Sequence, residues 1–344
     1  MKSMLCLYHG ADFDGKCSGY LVKEAYEELG FHVTLEPIDY NYPTPWKLIE
    51  GKDVVVICDF SVSPEDILGI ASMCGKLIWI DHHISAIKTW ELFLQNQVAD
   101  INMLTNITTV LVDGQAGCEL TYDYFNPGKQ RPYAIHLLGR YDVWDMSNLN
   151  LWNNSILPFQ WGLRSHTMDP RTEDGCRDWE HLFGSNSADN ISIISNDGKI
   201  ILTYQLATNE WYCKYGREID FADRSGTYKG FRTFAVNTGM KSSLVFQHLI
   251  DKDAYDLYMV YIHTKDGFEI SLYNTNGKID CSVIAKSYGG GGHRGAAGFK
   301  SMTADFFCEL IEGSYEYTFS GTGLPDTRLT TRPAENSNVP LITG

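Results

Sequence analysis

The run "VVVICDF" (residues 54–60) constrains the fold more than any other stretch. Five apolar residues stand in a row without polar alternation, and an acid follows at once. A strand that is apolar on both faces belongs in a parallel sheet covered by helices on each side. "KLIWIDHH" (residues 76–83) repeats the pattern with Asp81, His82 and His83 at its end. "MLCLYH", "HVTLEPI" and "TTVLVDG" read as further strands. Between them lie helical segments. "DGKCSGYLVKEAYEELG" has Gly30 as its stop, and "SVSPEDILGIASMCG" has Ser63 as cap, Pro64 at the first position and Asp66 three residues after the cap. "GCELTYDYF" and "RPYAIHLLGRYDVW" follow. The fold class this predicts is α/β, with a doubly wound parallel sheet in the first domain.

Residues 150–195 are rich in Asn, Trp and Pro and read as an irregular helical segment. Trp144, Trp152, Trp161 and Trp179 could stack on a base, but most are expected to be packing anchors. "GKIILTYQLATNEWYCKYGREI" (residues 198–219) reads as one long helix. Strand signals return in "GFRTFAVNT", "LYMVYIH" and "GFEISLYN", with helical "SSLVFQHLI" and "CSVIAKSY" among them, which predicts a second, smaller α/β domain. The expected division is 1–195, a linker helix over 196–225, a second domain over 226–320 and a flexible tail over 321–344.

The ends of the strands carry the chemistry. "HGADFDG" supplies His9, Asp12 and Asp14, the next strand end supplies Asp59, and "GRYDVWD" on a later helix supplies Asp142 and Asp145. In a parallel sheet these ends share one edge. So many acids cannot stay ionised together without a counter-charge, and divalent metal ions supply one. Asp and His without Cys fits Mn²⁺, Mg²⁺ or a related ion better than structural zinc.

Composition narrows the partners. The 344 residues carry a net charge of −15, and residues 1–185 hold 13 Lys/Arg against 25 Asp/Glu. Such a chain is a poor binder of long duplex nucleic acid, whose affinity rests on neutralised phosphates. No apolar run reaches membrane-spanning length, and the N-terminus reads as a first strand with no signal peptide. The nine cysteines lack any CxxC pair and read as reduced thiols in the cytoplasm.

Five segments in order resemble the DHH phosphoesterases with a DHHA1-type second domain, over about residues 4–145 and 226–300: "HGADFDGKCSG", "VVICDFS", "IDHH", "GRYDVWD" and "GGGGHRGAAGF". The resemblance implies a metal-dependent hydrolase that cleaves phosphodiesters or phosphomonoesters in short oligonucleotides or small nucleotides through a hydroxide activated by two divalent ions, Mn²⁺ first among them. It implies that His9 and Asp12 hold one ion, that Asp14, His82 and Asp142 hold the other, and that Asp59 bridges. Asp81 is then expected to orient an imidazole, and His83 to meet the substrate phosphate. The glycine run, taken alone, favours a tight helix-to-strand turn. With the adjacent His-Arg and the resemblance, Gly290, Gly291, Gly292, His293 and Arg294 become expected substrate contacts. Family members are often homodimers.

Two departures stand out. The acid at Asp12 follows His9 one residue sooner than in many members. Tyr273 also stands where members that hydrolyse small nucleotides often carry Arg, so the substrate is expected to differ from theirs. The alternatives are a hydrolase of polyphosphate or pyrophosphate and, from another class, a non-catalytic nucleotide sensor.

Overall fold

A computed structural model describes residues 2–302 of the chain apart from 40–41, 97–104, 222–225, 229–230, 240–241, 250–253, 275 and 293. The expected tail and His293 therefore lie outside the described residues. The chain forms two compact units, Met1–Gln205 and Leu206–Gly344.

The first unit begins with β1 (Ser3–His9), α1 (Phe13–Glu28), β2 (His32–Ile38), the short α2 (Trp46–Ile49), β3 (Val54–Cys58), α3 (Pro64–Met73), β4 (Lys76–Asp81), α4 (Ile84–Asn96) and β5 (Ile107–Leu111). The five strands form one parallel sheet in the order β2-β1-β3-β4-β5. The order reverses between β1 and β3, and such a reversal opens a crevice at the C-terminal edge of the sheet. The continuous apolar runs are explained by two cores, one on each face. Val55, Ile57, Leu77 and Trp79 pack with Ile67 and Ile70 of α3 and Trp90 of α4. Val56, Cys58, Ile78 and Ile80 pack with Val22 and Tyr26 of α1 and with Leu120. Each fully buried Val or Ile contributes about 2 kcal/mol. Ser63 accepts a hydrogen bond from the Asp66 N–H at 3.1 Å, and Pro64 opens α3 where its missing N–H costs nothing.

After β5 come α5 (Gly117–Phe125) and α6 (Tyr133–Asp142). A continuous helical stretch follows: α7 (Leu149–Leu151), one π turn (Trp152–Ile156), α8 (Leu157–Gly162) and a 3-10 turn (Leu163–Ser165). Then come α9 (Glu173–Phe183) and α10 (Ser187–Lys214). Trp152, Trp161 and Trp179 are buried, but Trp144 is 41% exposed and has a positive φ of 54°.

The long helix differs from its sequence reading at both ends. It starts at Ser187, because Ile191 and Ile194 are buried and outweigh the poor helix propensity of the Asn/Asp/Ser-rich segment. Two glycines permit the close crossing with α8. A Cβ on Gly162 would stand 2.0 Å from the Ile194 carbonyl oxygen, and one on Gly198 would stand 1.7 Å from that of Pro158. The helix ends at Lys214, and residues 217–221 leave it to form a strand. Gly216 lies so close to the Phe234 ring that a Cβ would approach it to 2.4 Å.

The second unit holds the last turns of α10, then β6 (Arg217–Phe221), β7 (Phe231–Asn237), a 3-10 turn (Ser243–Phe246), β8 (Leu257–Thr264), β9 (Gly267–Tyr273), α11 (Cys281–Ser287), β10 (Gly291–Gly292) and β11 (Ala296–Ser301). The "SSLVFQHLI" segment makes only the 3-10 turn among its described residues. The six strands form a mixed sheet in the order β10-β11-β9-β8-β7-β6, with β7 and β8 its parallel pair. Leu257, Met259, Ile270 and Leu272 pack on Ile284 and Ala285 of α11. Val236, Tyr258 and Val260 pack on Val245 and Phe246. No described helix is long and apolar enough to cross a membrane.

Candidate metal centre

Sheet register levels the first groups of the candidate site. Tyr8 pairs with Cys58, and Cys58 with Ile80, so His9, Asp59 and Asp81 come next on three adjacent strands. After His9 the chain turns through Gly10 and Ala11, and Asp12 caps α1 by accepting from the Gly15 N–H at 2.9 Å. Only glycine fits at Gly15, because a Cβ there would stand 2.1 Å from the His9 carbonyl oxygen. Asp14, in the first turn of α1, is buried and accepts from the Gly117 and Cys118 N–H groups at 2.7 and 2.8 Å. These N–H groups open α5, so a helix N-terminus faces this carboxylate. Asp59 has a φ of 55°, in the left-handed region that Asp tolerates better than most residues. A Cβ on Gly117 would stand 2.5 Å from the Asp59 Cβ. Asp142 ends α6.

These side chains come together. His9 Nδ1 lies 2.8 Å from Asp12 Oδ2 and 3.7 Å from Asp59 Oδ2. His82 Nε2 lies 3.1 Å from Asp59 Oδ1 and 3.3 Å from Asp142 Oδ2. Donor atoms of His9, Asp12 and Asp59 all lie within 4.8 Å of one another, as do those of Asp14, His82 and Asp142. A third such group joins Asp59, Asp81, His82 and His83.

Asp81 is fully buried. Its Oδ1 lies 2.7 Å from His83 Nδ1 and accepts from the His82 N–H at 2.8 Å, and its Oδ2 accepts from the Ser61 hydroxyl at 2.5 Å. The imidazole it orients is thus that of His83, held with its proton on Nδ1. Asp145 accepts from the Ser147 N–H and pairs with Arg140, outside the three groups.

The electrostatics describe a cluster short of positive charge. Burial by itself would push His9 down, but the carboxylates of Asp12 and Asp59 raise its imidazole to about 10. Burial likewise disfavours the charge on His82, and Asp59 and Asp142 raise it to about 9. Burial and the Asp59 charge raise Asp142 to about 7. Asp14 is raised well above the carboxylate range by burial and by Asp59, Asp142 and Asp12. Asp59 is buried too, yet His82 and His9 hold it down to about 2. The imidazoles are being pressed into service as cations. Asp59 Oδ2 and Asp142 Oδ2 are buried oxygens without a hydrogen-bond partner. A donor set of carboxylates and imidazoles, with buried oxygens that accept no hydrogen bond, fits hard divalent cations. The Cys58 and Cys118 thiols nearby are raised well above their usual range, chiefly by burial, and stay protonated.

Sequence reasoning missed the bracket that holds this edge. Glu119 is buried, with Arg131 Nη1 at 3.0 Å from Oε1 and Arg140 Nη2 at 2.6 Å from Oε2, and it accepts from the Ala116 N–H at 3.2 Å. Gly139 leaves room for it, since a Cβ there would stand 2.5 Å from the Glu119 carboxyl carbon. This ties α5, which binds Asp14, to α6, which carries Asp142. The Gly139-Arg140 pair inside "GRYDVWD" was the available signal.

In the second unit, Gly289 has a φ of 78° and Gly292 one of 135°. Gly290 approaches the Gly298 carbonyl oxygen, to which a Cβ would stand 2.1 Å away. Gly291 and Gly292 pair with Gly298 and Ala297. The glycines thus build a close hairpin. Arg294 donates to the Gly277 carbonyl oxygen at 2.9 Å. Tyr273 lines a separate cavity of about 440 Å³ with Thr238, Ser242, Glu269 and Ser271.

No family model matches the chain. It is similar to the uncharacterized protein R106 of Acanthamoeba polyphaga mimivirus, at 23% identity over 265 residues, 71% of this chain and 52% of that protein. The chain thus spans about half the length of the curated relative it matches. Among solved structures it is similar to the pGpG-specific phosphodiesterase PggH of Vibrio cholerae, at 9% identity over 87% of this chain and 93% of that one, with a TM-score of 0.45. It is similar to RecJ of Thermus thermophilus in complex with Mn²⁺, at 12% identity over 90% and 51%, with a TM-score of 0.44. It is also similar to an exopolyphosphatase-related protein of Bacteroides fragilis, at 15% identity over 88% and 87%, with a TM-score of 0.43.

Proposed function

We propose that the chain is a divalent-metal-dependent phosphoesterase of the DHH kind, acting on short oligonucleotides or small nucleotides. The observation that carries this reading is the convergence of His9, Asp12, Asp14, Asp59, His82 and Asp142, with two buried carboxylate oxygens that make no hydrogen bond. In this reading His9 and Asp12 hold one ion, Asp14, His82 and Asp142 hold a second, and Asp59 is shared. Two divalent ions bound there would acidify a water and draw charge from phosphoryl oxygens.

The protein's own groups do the rest. The N-terminus of α5 keeps Asp14 ionised once a cation is present. Asp81 raises the pKa of the His83 imidazole against the effect of burial and fixes its orientation. A protonated His83 then donates a hydrogen bond to a phosphoryl oxygen as charge builds there. Gly290, Gly291, Gly292, His293 and Arg294 are proposed to bind the distal part of the substrate, through backbone N–H groups and the two side chains.

The test is hydrolysis of bis(p-nitrophenyl) phosphate by chelator-treated protein, with and without Mn²⁺. Release of p-nitrophenolate only when the ion is restored is expected. No release, or release indifferent to chelation, would overturn the reading. Short RNAs, dinucleotides, adenosine bisphosphate and polyphosphate then rank the substrates.

A further inference from the structure

Beside the metal centre the first unit has a hollow of about 150 Å³, bounded by the chain after β2, the residues after β3 and the start of α3. Its walls include Tyr42, Pro43, Pro45 and Phe60, and its polar groups include Ser61 and Asp66. Two of these residues connect it to the metal centre. The Phe60 ring lies 5.9 Å from the His9 imidazole. The Ser61 hydroxyl donates to Asp81, the carboxylate that holds His83. Whatever fills the hollow therefore borders His9 of the proposed ion site and the Asp81–His83 pair that the proposed function puts at the phosphate.

We propose that this hollow takes a nucleobase, which makes the substrate of the phosphoesterase proposed above a nucleoside ester and not a polyphosphate. The chemistry of the walls decides between them. None of the described lining residues is a cation, and the one charged group is Asp66, whose Oδ2 already accepts from the Thr44 hydroxyl at 3.0 Å. A second phosphate placed here would face a carboxylate with no counter-charge. A flat, uncharged ring meets an aromatic and proline surface instead, and its N–H edge finds an acceptor in Asp66. The volume suits one six-membered ring, since a cavity of about 150 Å³ binds benzene in another protein. Tyr42 is 72% exposed, as a residue waiting for a stacking partner would be, and its replacement costs the fold little.

The inference rests on the phosphoesterase reading, and the experiment separates the two. With the full chain and Mn²⁺, kcat/KM is measured for thymidine 5′-(p-nitrophenyl phosphate) and for ethyl p-nitrophenyl phosphate, which share a leaving group. The ratio of nucleoside ester to base-free ester should fall about tenfold in Tyr42→Ala, the order expected for one lost stacking contact, and be retained in Tyr42→Phe. An equal ratio in all three proteins would overturn the base pocket while leaving the phosphoesterase intact. If neither ester is hydrolysed, the phosphoesterase reading fails. Calorimetric titration with thymidine 5′-monophosphate then decides the pocket. Weaker binding to Tyr42→Ala supports it, and equal binding overturns it.

Discussion

The two sheets of this protein put their polar groups to opposite uses. In the first unit the parallel strands are apolar along their length, and ionisable groups crowd one edge, where His9, Asp59 and Asp81 stand level on adjacent strands. In the second unit the mixed sheet carries its polar groups on a face. Glu269, Ser271 and Tyr273 alternate along β9 beside a cavity, while Ile270 and Leu272 between them fill the core. A parallel sheet brings the C-terminal ends of strands far apart in sequence to one place, which suits a site needing many charges at one point. A largely antiparallel sheet spreads its side chains in rows, which suits a broader contact surface. The first unit should therefore respond to ions, and single charges there should have large effects.

The largest effect is expected at Asp59. Asp59→Asn keeps the side-chain shape and tolerates the left-handed backbone, yet it removes the charge that the proposed function shares between two ions. Hydrolysis should fall on the order of a thousandfold, ~4 kcal/mol of transition-state stabilisation. Steady-state rates in saturating Mn²⁺ measure this, and rates near wild type would remove Asp59 from the centre of the account.

Next comes the bracket behind the site. Glu119→Ala leaves Arg131 and Arg140 without their buried partner, which should cost about 3 kcal/mol, roughly 10 °C in the melting temperature. Calorimetry should show the loss, and Mn²⁺ affinity should fall with it because α5 and α6 lose their tie. A stable variant with unchanged affinity would show that the bracket does not position Asp142.

The chelated protein should also show an unusual dependence on pH. Asp142 is raised to about 7, so the folded chain retains a proton that the unfolded chain releases near about pH 4, and stability falls as pH rises between these values. His9 and His82, raised to about 10 and about 9, add stability that is complete below about pH 6.5 and disappears as pH climbs through those values. Without metal, melting at about pH 5.5 should therefore exceed melting at about pH 9, and Mn²⁺ should stabilise more at the higher pH. A chelated protein more stable at the alkaline pH would contradict the charge balance described for the cluster.

The smallest effect tests the scaffold alone. Ser63→Ala removes the cap of α3 and should cost about 1 kcal/mol. Mn²⁺ affinity should not change, and a change would mean that the edge is less rigid than its packing implies.

Much of the first unit could be read from sequence, because continuous apolar runs that end in Asp or His mark both a buried strand and its functional end. Ser63, Pro64 and Asp66 made the start of α3 equally plain. The network at Glu119 was hidden, because one acid in a helix looks like a solvated residue until Gly139 and two arginines come from another segment to bury it. The partner of Asp81 also depended on geometry. The sequence implied an imidazole but could not choose between His82 and His83. The helix at Ser187 and the strand at Arg217 were missed because packing against α8 and pairing with β7 override local propensity. Trp144 looked like the other three tryptophans in sequence, and its exposure and left-handed backbone set it apart.

The central claim is that the six side chains at this edge form a site for two divalent ions. The most direct measurement is a Mn²⁺ titration of the full, chelator-treated chain followed by electron paramagnetic resonance, with Asp59→Asn in parallel. The account predicts two ions bound per chain, a spectrum showing that they are close enough to couple, and loss of that coupling in the variant. A chain that binds no Mn²⁺ at millimolar concentration, or that binds it identically with and without the Asp59 carboxylate, would contradict it.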